Sequence, residues 1–183
     1  KNYFSFPWGK YKLFDTKEIL KLNWPVAEKF EENSNREFIY KVPKSLTVEY
    51  WFEKNHVAQH PNQNKTFAVR SGLDKMQRIE EGDTKRKSFK RLHRWKYSPT
   101  AAYGNNEVHL HPYKVRRLSV AEAMAIQSLP ENFILPNDIS LTAMFKMIGN
   151  GVPYLMAKSI AKTLKELVIQ IYDNGGEKNG TRT

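Results

Sequence analysis

The side chains most suited to chemistry in this sequence form a cluster of cations. Residues 84–117 carry ten basic side chains against one acid, Glu107, so this segment supplies +9 of the formal net charge of +11. Lysine and arginine hold phosphates, and planar side chains among them can contact sugars or stack on bases. A solvated basic face is the alternative interpretation. The scarcity of acids favours a polyanionic partner, nucleic acid ahead of a membrane surface. The planar side chains are Phe89, His93, Trp95, Tyr97 and Tyr103.

A second feature is the segment Ile148-Gly149-Asn150-Gly151-Val152-Pro153. Two glycines around an asparagine let a ligand approach the backbone closely and leave an amide free to hydrogen-bond. On spacing alone, an ordinary turn is the commoner explanation.

Other chemistries find little support. The sequence contains no cysteine, which excludes disulfides, thiolate zinc sites and a cysteine nucleophile within this chain. His56 and His60 stand four residues apart, but no glutamate follows His56 as in metalloprotease helices, so a structural role is favoured over a metal site. We therefore predict no metal site and no catalytic residue in these 183 residues.

Several elements must position these groups. Two helices are predicted from segments with the spacing of capping boxes, Asp15-Thr16-Lys17-Glu18 and Ser119-Val120-Ala121-Glu122. The first helix should end at Asn23-Trp24-Pro25 and the second at Leu129-Pro130. Residues 46–52 are rich in β-branched and aromatic side chains and fit either a strand or a buried segment. A long helix is predicted from Pro153 until Asn174-Gly175-Gly176. Its apolar stripe comprises Met156, Ala157, Ile160, Leu164, Leu167, Val168 and Ile171.

Two segments taken together resemble the DNA (cytosine-5)-methyltransferase family. Residues 116–133, which run from Arg116-Arg117-Leu118-Ser119 to Pro130-Glu131-Asn132-Phe133, are similar to the ninth conserved block of that family. Residues 148–153 resemble its tenth and last block, Gln-x-Gly-Asn-x-Val-Pro, in the expected order and at the expected separation. Residues 88–93, 98–100 and 110–112 look like the variable region that many bacterial members carry before the ninth block. Ala121 and Ala125 stand where the family usually has arginines, and Met147 replaces the usual glutamine.

The resemblance also indicates what lies outside this chain. The family's nucleophile is a cysteine in a Pro-Cys motif, and its first block is a glycine-rich segment that holds S-adenosylmethionine; neither occurs here. The resemblance therefore implies the C-terminal portion of such an enzyme, with S-adenosylmethionine bound only in the assembled protein. The implied partners are double-stranded DNA and a companion chain or N-terminal part that carries the catalytic domain.

Roles follow from the resemblance by position. Asn150 and Gly151 match positions that line the methyl-donor pocket, and Arg116 and Glu122 match residues that organise the recognition domain. By residue type, Arg86, Arg91 and Arg94 are suited to guanine contacts and the lysines to phosphates. The positions that fall where family members contact DNA are Lys85, Arg86, Lys87, Lys90, Arg91, Arg94, Lys96, Ser98 and Thr100.

The expected fold is an α+β fragment. A small DNA-recognition domain would span residues 1–147, including the basic segment 84–117 and the ninth block. Residues 148–172 would form the tenth block and a helix that packs on a Rossmann-like α/β methyltransferase domain outside this chain, and residues 173–183 a disordered tail. The long apolar stripe should then be exposed in this chain alone.

Two alternatives remain at the level of sequence. The chain could be a stand-alone basic nucleic-acid-binding protein without methyltransferase activity, or a degenerate remnant that acts as an oligomerisation or regulatory subunit. No stretch approaches 18 consecutive apolar residues and no basic-then-apolar leader is visible, so we expect a cytoplasmic protein.

Overall fold

The computed structural model describes residues 14–69, 72–101, 103 and 108–176. The chain divides into two units, one formed by residues 22–151 and the other by residues 1–21 together with 152–183. The predicted boundary after residue 147 falls inside the last helix of the larger unit. A 3-10 turn, Lys44–Leu46, precedes the second helix. The α-helices are α1 Thr16–Lys21, α2 Val48–Lys54, α3 Leu73–Gln77, α4 Val120–Ile126, α5 Leu141–Asn150 and α6 Tyr154–Gly176.

Helix α2 decides between the strand and the buried segment that the sequence left open. Its N-cap is Thr47, whose hydroxyl accepts a hydrogen bond from the Tyr50 amide at 3.3 Å. Val48 and Phe52, one helical turn apart, are buried in the core. The β-branched and aromatic composition of this segment therefore serves one face of a helix.

Helix α4 is the centre of the larger unit. The predicted capping box is confirmed, because the Ser119 hydroxyl accepts from the Glu122 amide while the Glu122 carboxylate accepts from the Ser119 amide. Every residue from Val120 to Ala125 is buried, and α4 packs against both α2 and α5. Ala121 and Ala125, the departures from the family pattern, keep those neighbours close because they add little side-chain volume.

Helix α5 was not predicted. Ser140 caps it by accepting from the Ala143 amide at 3.2 Å, and Met144, Phe145 and Ile148 turn into the core. The ordinary turn that spacing alone favoured at Gly149-Asn150 is not what forms: both residues lie in the last turn of α5, and Gly151 is the C-cap. A Cβ atom on Gly149 would stand 2.8 Å from the Tyr103 backbone nitrogen, so this glycine lets α5 approach buried Tyr103.

Between the helices, segments of the larger unit are joined by isolated β-bridges. Arg91 pairs with Leu110 in parallel, and Leu110 pairs with Arg117 in antiparallel, so three segments lie side by side. Glu28 and Glu81 form a further antiparallel bridge. The described residues contain these bridges and no longer strand, and the α+β class stays a prediction.

Distant parts of the larger unit are fastened by side-chain amides. The Asn62 side chain both donates to the Leu135 carbonyl and accepts from the Leu135 amide, each at 3.0 Å, across 73 residues of chain. Asn55 donates to the Leu129 carbonyl at 2.8 Å. Asn62 is fully buried, so its amide replaces bonds that water would otherwise make.

The smaller unit contributes α1 and α6. The Asp15 carboxylate accepts from the Lys17 and Glu18 amides at 2.7 and 3.2 Å, which confirms the predicted start of α1. The long predicted helix is confirmed as α6, although it continues through Gly176, so residues 173–176 of the predicted tail are helical. The rest of that tail, residues 177–183, lies outside the described residues. None of the helices in the described ranges is long and apolar enough to cross a membrane.

Candidate nucleic-acid interface

The exposed part of the basic segment is a short loop between two bridged residues. Lys85, Arg86 and Lys87 are all exposed, and Lys90 is half-buried. Asp83 organises the loop by accepting from the Lys85 amide at 3.3 Å and from the Arg86 guanidinium at 2.6 Å. These four predicted DNA-contacting side chains are placed where a polyanion can reach at least part of each.

Arg91 takes a different position. Its side chain is fully buried, and its guanidinium donates to the carbonyls of four residues at 2.5–3.1 Å. It also lies 3.8 Å from the Phe30 ring centroid. Burial lowers the pKa of Arg91 to about 10, so the group is still charged at neutral pH. The four acceptors are Met76, Ile79, His111 and Lys114.

Arg94 is also buried, in a bidentate pair with Glu81. Its Nε and Nη2 atoms donate to the two carboxylate oxygens of Glu81 at 2.9 Å each. The remaining donors reach the Ser34 carbonyl and hydroxyl at 2.7 and 2.9 Å. Arg91 and Arg94 are thus both buried, and their guanidinium groups are hydrogen-bonded within the chain. The expectation that they contact guanine bases does not fit these positions. Buried arginine donors were indistinguishable from exposed ones by residue type alone.

Beside this pair lies a half-buried polar cluster around Glu28. The carboxylate of Glu28 accepts hydrogen bonds from Arg36 and from the Tyr40 hydroxyl, and His93 lies 3.5 Å away. Burial and the bond to Glu28 raise the pKa of Tyr40 to about 12. Burial lowers the pKa of His93 despite the two nearby glutamates. The cluster therefore anchors the N-terminal segment of the larger unit against residues 81–94.

The last predicted DNA contacts are arranged unevenly. Lys96 is half-buried and donates to the Pro25 carbonyl at 3.1 Å. Ser98 donates to the Pro99 carbonyl at 2.8 Å and is also half-buried. Thr100 is exposed. Of these three, Thr100 alone is presented to solvent without a described bond.

The ninth-block residues Arg116 and Glu122 form a structural lock. Two guanidinium nitrogens of Arg116 donate to the two Glu122 oxygens at 2.8 and 2.7 Å, and His111 lies 3.4 Å from the same carboxylate. Burial acts to raise the pKa of Glu122, but the bonds from Arg116 and His111 lower it overall, well below its ordinary value. Burial lowers the pKa of His111 to about 4. This pairing supports the organising role implied for Arg116 and Glu122.

The two positions implied for the methyl donor lie together at the end of α5. Asn150 and Gly151 are both exposed, and no hydrogen bond from a described residue reaches the Asn150 side-chain amide. They present one free amide and an open backbone edge, which fits one wall of a cofactor pocket.

Among the described residues, no group of three or more histidine, aspartate or glutamate side chains could hold a metal ion. His60, one of the histidines at helical spacing, is instead within 3.2 Å of the Phe133 carbonyl and accepts from the Asn62 amide at 3.0 Å.

A cleft beside α3 was not predicted. Lys75 and Arg78 are exposed there, and with Gly72, Asp74, Ile79 and Arg86 they line a cavity of about 560 Å3. The sequence around residues 56–82 is polar and weakly periodic, so nothing in it indicated a helix that presents cations.

The comparisons with known proteins now define the class. The family model for C-5 cytosine-specific DNA methylase matches residues 10–166. The chain belongs to this family, whose members act on DNA and take a methyl group from S-adenosylmethionine.

Three relatives give the particulars. The chain is 52% identical over 169 residues to the type II methyltransferase M.NmeDI of Neisseria meningitidis serogroup C, a match that covers 92% of this chain and 39% of that protein. It is 50% identical over 58 residues to the putative type II methyltransferase M.OihORF3336P of Oceanobacillus iheyensis, across 32% of this chain and 12% of that protein. It is 25% identical over 129 residues to the type II methyltransferase M.AquIB of Picosynechococcus sp., across 61% of this chain and 92% of that protein. The chain thus spans well under half of the first two relatives.

Proposed function

We propose that this chain is the DNA-recognition part of a restriction-modification DNA (cytosine-5)-methyltransferase and that it completes the methyl-donor pocket. The catalytic cysteine would come from another chain or from an N-terminal part. The main support for this proposal is that the family match spans residues 10–166 while the sequence contains no cysteine. An adduct at C6 of cytosine requires a thiolate, so the nucleophile must lie elsewhere.

In this proposal the exposed loop holds DNA and the buried arginines hold the loop. Lys85 and Lys87 bind backbone phosphates, and Arg86 remains available for a guanine contact, while the target base is extruded from the duplex. Arg91 and Arg94 fix the segments on either side, because each replaces the water bonds of several buried carbonyl or carboxylate oxygens. DNA affinity and loop rigidity are therefore supplied by different cations of one segment.

Asn150 and Gly151 would complete the edge of the methyl-donor pocket in the assembled enzyme. When bound, S-adenosylmethionine supplies an electrophilic methyl group. The Asn150 amide can donate to or accept from the donor molecule, and Gly151 keeps side-chain bulk away from it.

Helix α6 supports the need for a further domain. Its side chains Met156, Ile160, Leu164, Val168 and Ile171 are each 46–51% exposed. Five such residues at about 100 Å2 each and ~25 cal/mol per Å2 offer roughly 12 kcal/mol of gross burial, part of which association entropy removes. A methyltransferase domain that covers this face would gain much of it.

The match to M.AquIB supports a separate companion chain. That match covers 92% of the relative, so a type II methyltransferase polypeptide can consist of little more than the region it shares with this chain. A two-chain arrangement is therefore reasonable for this protein as well.

The test is methyl transfer from tritiated S-adenosylmethionine to duplex DNA. We expect no incorporation by the purified 183-residue chain. Activity should appear when the cysteine-containing domain is added as a companion polypeptide from the native source. Incorporation by this chain alone, in a preparation free of other methyltransferases, would refute the proposal, as would failure of every cysteine-containing companion to bind it.

A further inference from the structure

Helix α3 is fastened to the basic segment through Arg91. The guanidinium donates to the Met76 carbonyl at 2.7 Å and to the Ile79 carbonyl at 2.9 Å, at the end of that helix. Met76 and Ile79 form a buried cluster with Leu110, against which Phe89 packs. The helix and the exposed loop are therefore held as neighbours by a buried charge that cannot reach DNA itself.

Phe89 makes a second connection. Lys75 Nζ lies 5.3 Å from the Phe89 ring centroid, and the Arg117 guanidinium carbon lies 5.4 Å from it. Such distances allow cation–π attraction. Phe89 itself has a positive φ of 58°, so its backbone adopts a conformation that a bulky side chain seldom takes without support from its surroundings. The ring holds Lys75 beside the loop.

The surface that results carries uncompensated positive charge. Lys75 and Arg78 are exposed, and neither takes part in any of the ion pairs among the described residues. Arg86 lines the same cleft and is paired with Asp83. Asp74 is the one acid among the residues that line it.

We propose that Lys75 and Arg78 bind backbone phosphates of duplex DNA, so that the recognition surface extends from the loop onto α3. This inference rests on the proposed function and adds two residues outside the basic segment. Phosphates are favoured over bases because the side chains stand in an open cleft, where long cations act as point charges along a backbone. The ligand class is a phosphodiester polyanion, and duplex DNA is its source here.

The experiment compares two matched double variants of the 183-residue chain. Lys75→Gln with Arg78→Gln removes two cations from the cleft, and Lys41→Gln with Lys146→Gln removes two exposed cations elsewhere in the larger unit. Binding to a fluorescent 24-base-pair duplex is followed by anisotropy from 0.05 to 0.3 M NaCl. Thermal unfolding of each variant checks that these exposed substitutions leave the fold intact.

In the cleft variant we expect the slope of log K against log salt concentration to be shallower by about 1.8, at about 0.9 per lost phosphate contact. The affinity at 0.15 M salt should then fall by about 30-fold. The control pair should reduce affinity by less than about 3-fold. Lys75→Arg with Arg78→Lys should restore the wild-type slope, because the charges return.

Equal losses in the two double variants would overturn the inference, since net charge alone would then explain them. If the unaltered chain binds the duplex with a steep salt dependence and the cleft variant shows the same slope, this inference is overturned and the proposed function still stands. Absence of salt-dependent duplex binding by the unaltered chain and by its assembled complex would overturn both.

Discussion

Helix α4 lies within the segment that resembles the ninth family block and α6 directly follows the segment that resembles the tenth, yet the two helices have opposite surroundings. Helix α4 is buried from Val120 to Ala125 and packs against α2 and α5. Helix α6 carries an apolar face that is about half exposed from Met156 to Ile171. The ninth-block helix is thus packed entirely within this chain, whereas the helix after the tenth block has an apolar surface suited to contact with another polypeptide.

This difference indicates that the two conserved blocks have different roles. The ninth block stabilises the recognition unit through Ser119, Glu122 and the Arg116 pair. The tenth block, in our proposal, joins recognition to chemistry, because Asn150 and Gly151 stand beside the start of α6 in sequence. Substitutions in the two helices should therefore affect different properties: folding for α4 and assembly for α6.

The largest contrast is expected from an arginine placed on each helix. Ala125→Arg restores the usual family residue type at a fully buried position, where a new charge and its bulk should lower the free energy of unfolding by about 4 kcal/mol or more. Ala161→Arg on exposed α6 should change it by less than about 0.5 kcal/mol. Urea unfolding followed by circular dichroism measures both. A stable Ala125→Arg variant would show that α4 can open toward solvent.

The next largest effect on the free energy of unfolding should come from the buried pair between Arg116 and Glu122. Glu122→Gln breaks a buried pair and should cost about 3 kcal/mol of unfolding free energy. The matched Glu53→Gln, which removes a half-exposed partner of Lys44, should cost under about 1 kcal/mol.

This difference should depend on pH. Because the folded-state pKa of Glu122 lies below its ordinary value of 4.5, its stabilisation is present above pH ~4.5 and is lost as pH falls below that value. The stability gap between wild type and Glu122→Gln should narrow in acid. A gap that is constant from pH 7 to 3 would show that this carboxylate does not titrate with a lowered pKa.

On α6, Leu164→Asp tests the interface without disturbing the core. It should weaken assembly with the cysteine-containing companion at least about 100-fold, since a carboxylate would be desolvated there. Lys165→Asp, on the neighbouring polar side of α6, should change affinity only a few-fold. Calorimetry or analytical ultracentrifugation measures the affinity, and the isolated wild-type chain should self-associate or bind hydrophobic dyes. A monodisperse chain whose assembly is indifferent to Leu164→Asp would favour the stand-alone nucleic-acid-binding protein.

The smallest effect should come from Asn150→Ala. Assembly should be preserved, and binding of S-adenosylmethionine to the assembled enzyme should weaken about 10-fold, which corresponds to one hydrogen bond. Asn137→Ala, at another exposed asparagine, should leave it unchanged. Equal affinity in both variants would remove Asn150 from the cofactor site.

Local sequence signals predicted the helices that have local causes. The Asp15 and Ser119 caps and the stripe from Met156 identified α1, α4 and α6, because each signal acts within one or two turns. Helix α5 was missed because its apolar face spans only Met144 to Ile148 and is followed by Gly149-Asn150. That pair favours a turn unless a distant residue, here Tyr103, requires a glycine inside the helix.

The site was predictable in composition but not in position. Exposure of Lys85, Arg86 and Lys87 agrees with a binding role, whereas Arg91 and Arg94 were assigned by type alone. Their acceptors lie far along the chain; the Ser34 carbonyl is 60 residues from Arg94. No short-range pattern contains such information, so the buried arginines and the cations of α3 emerge only in three dimensions.

The clasp between Asn62 and Leu135 has a consequence for the order in which the protein is made. Ribosomes add about 5–20 residues per second, so the 73 residues that separate the two partners take about 4–15 s to synthesise. During that interval the first half of the larger unit lacks helix α4, against which α2 packs. Nascent chains should therefore recruit chaperones at this stage, and slower translation should lengthen their exposure to proteolysis.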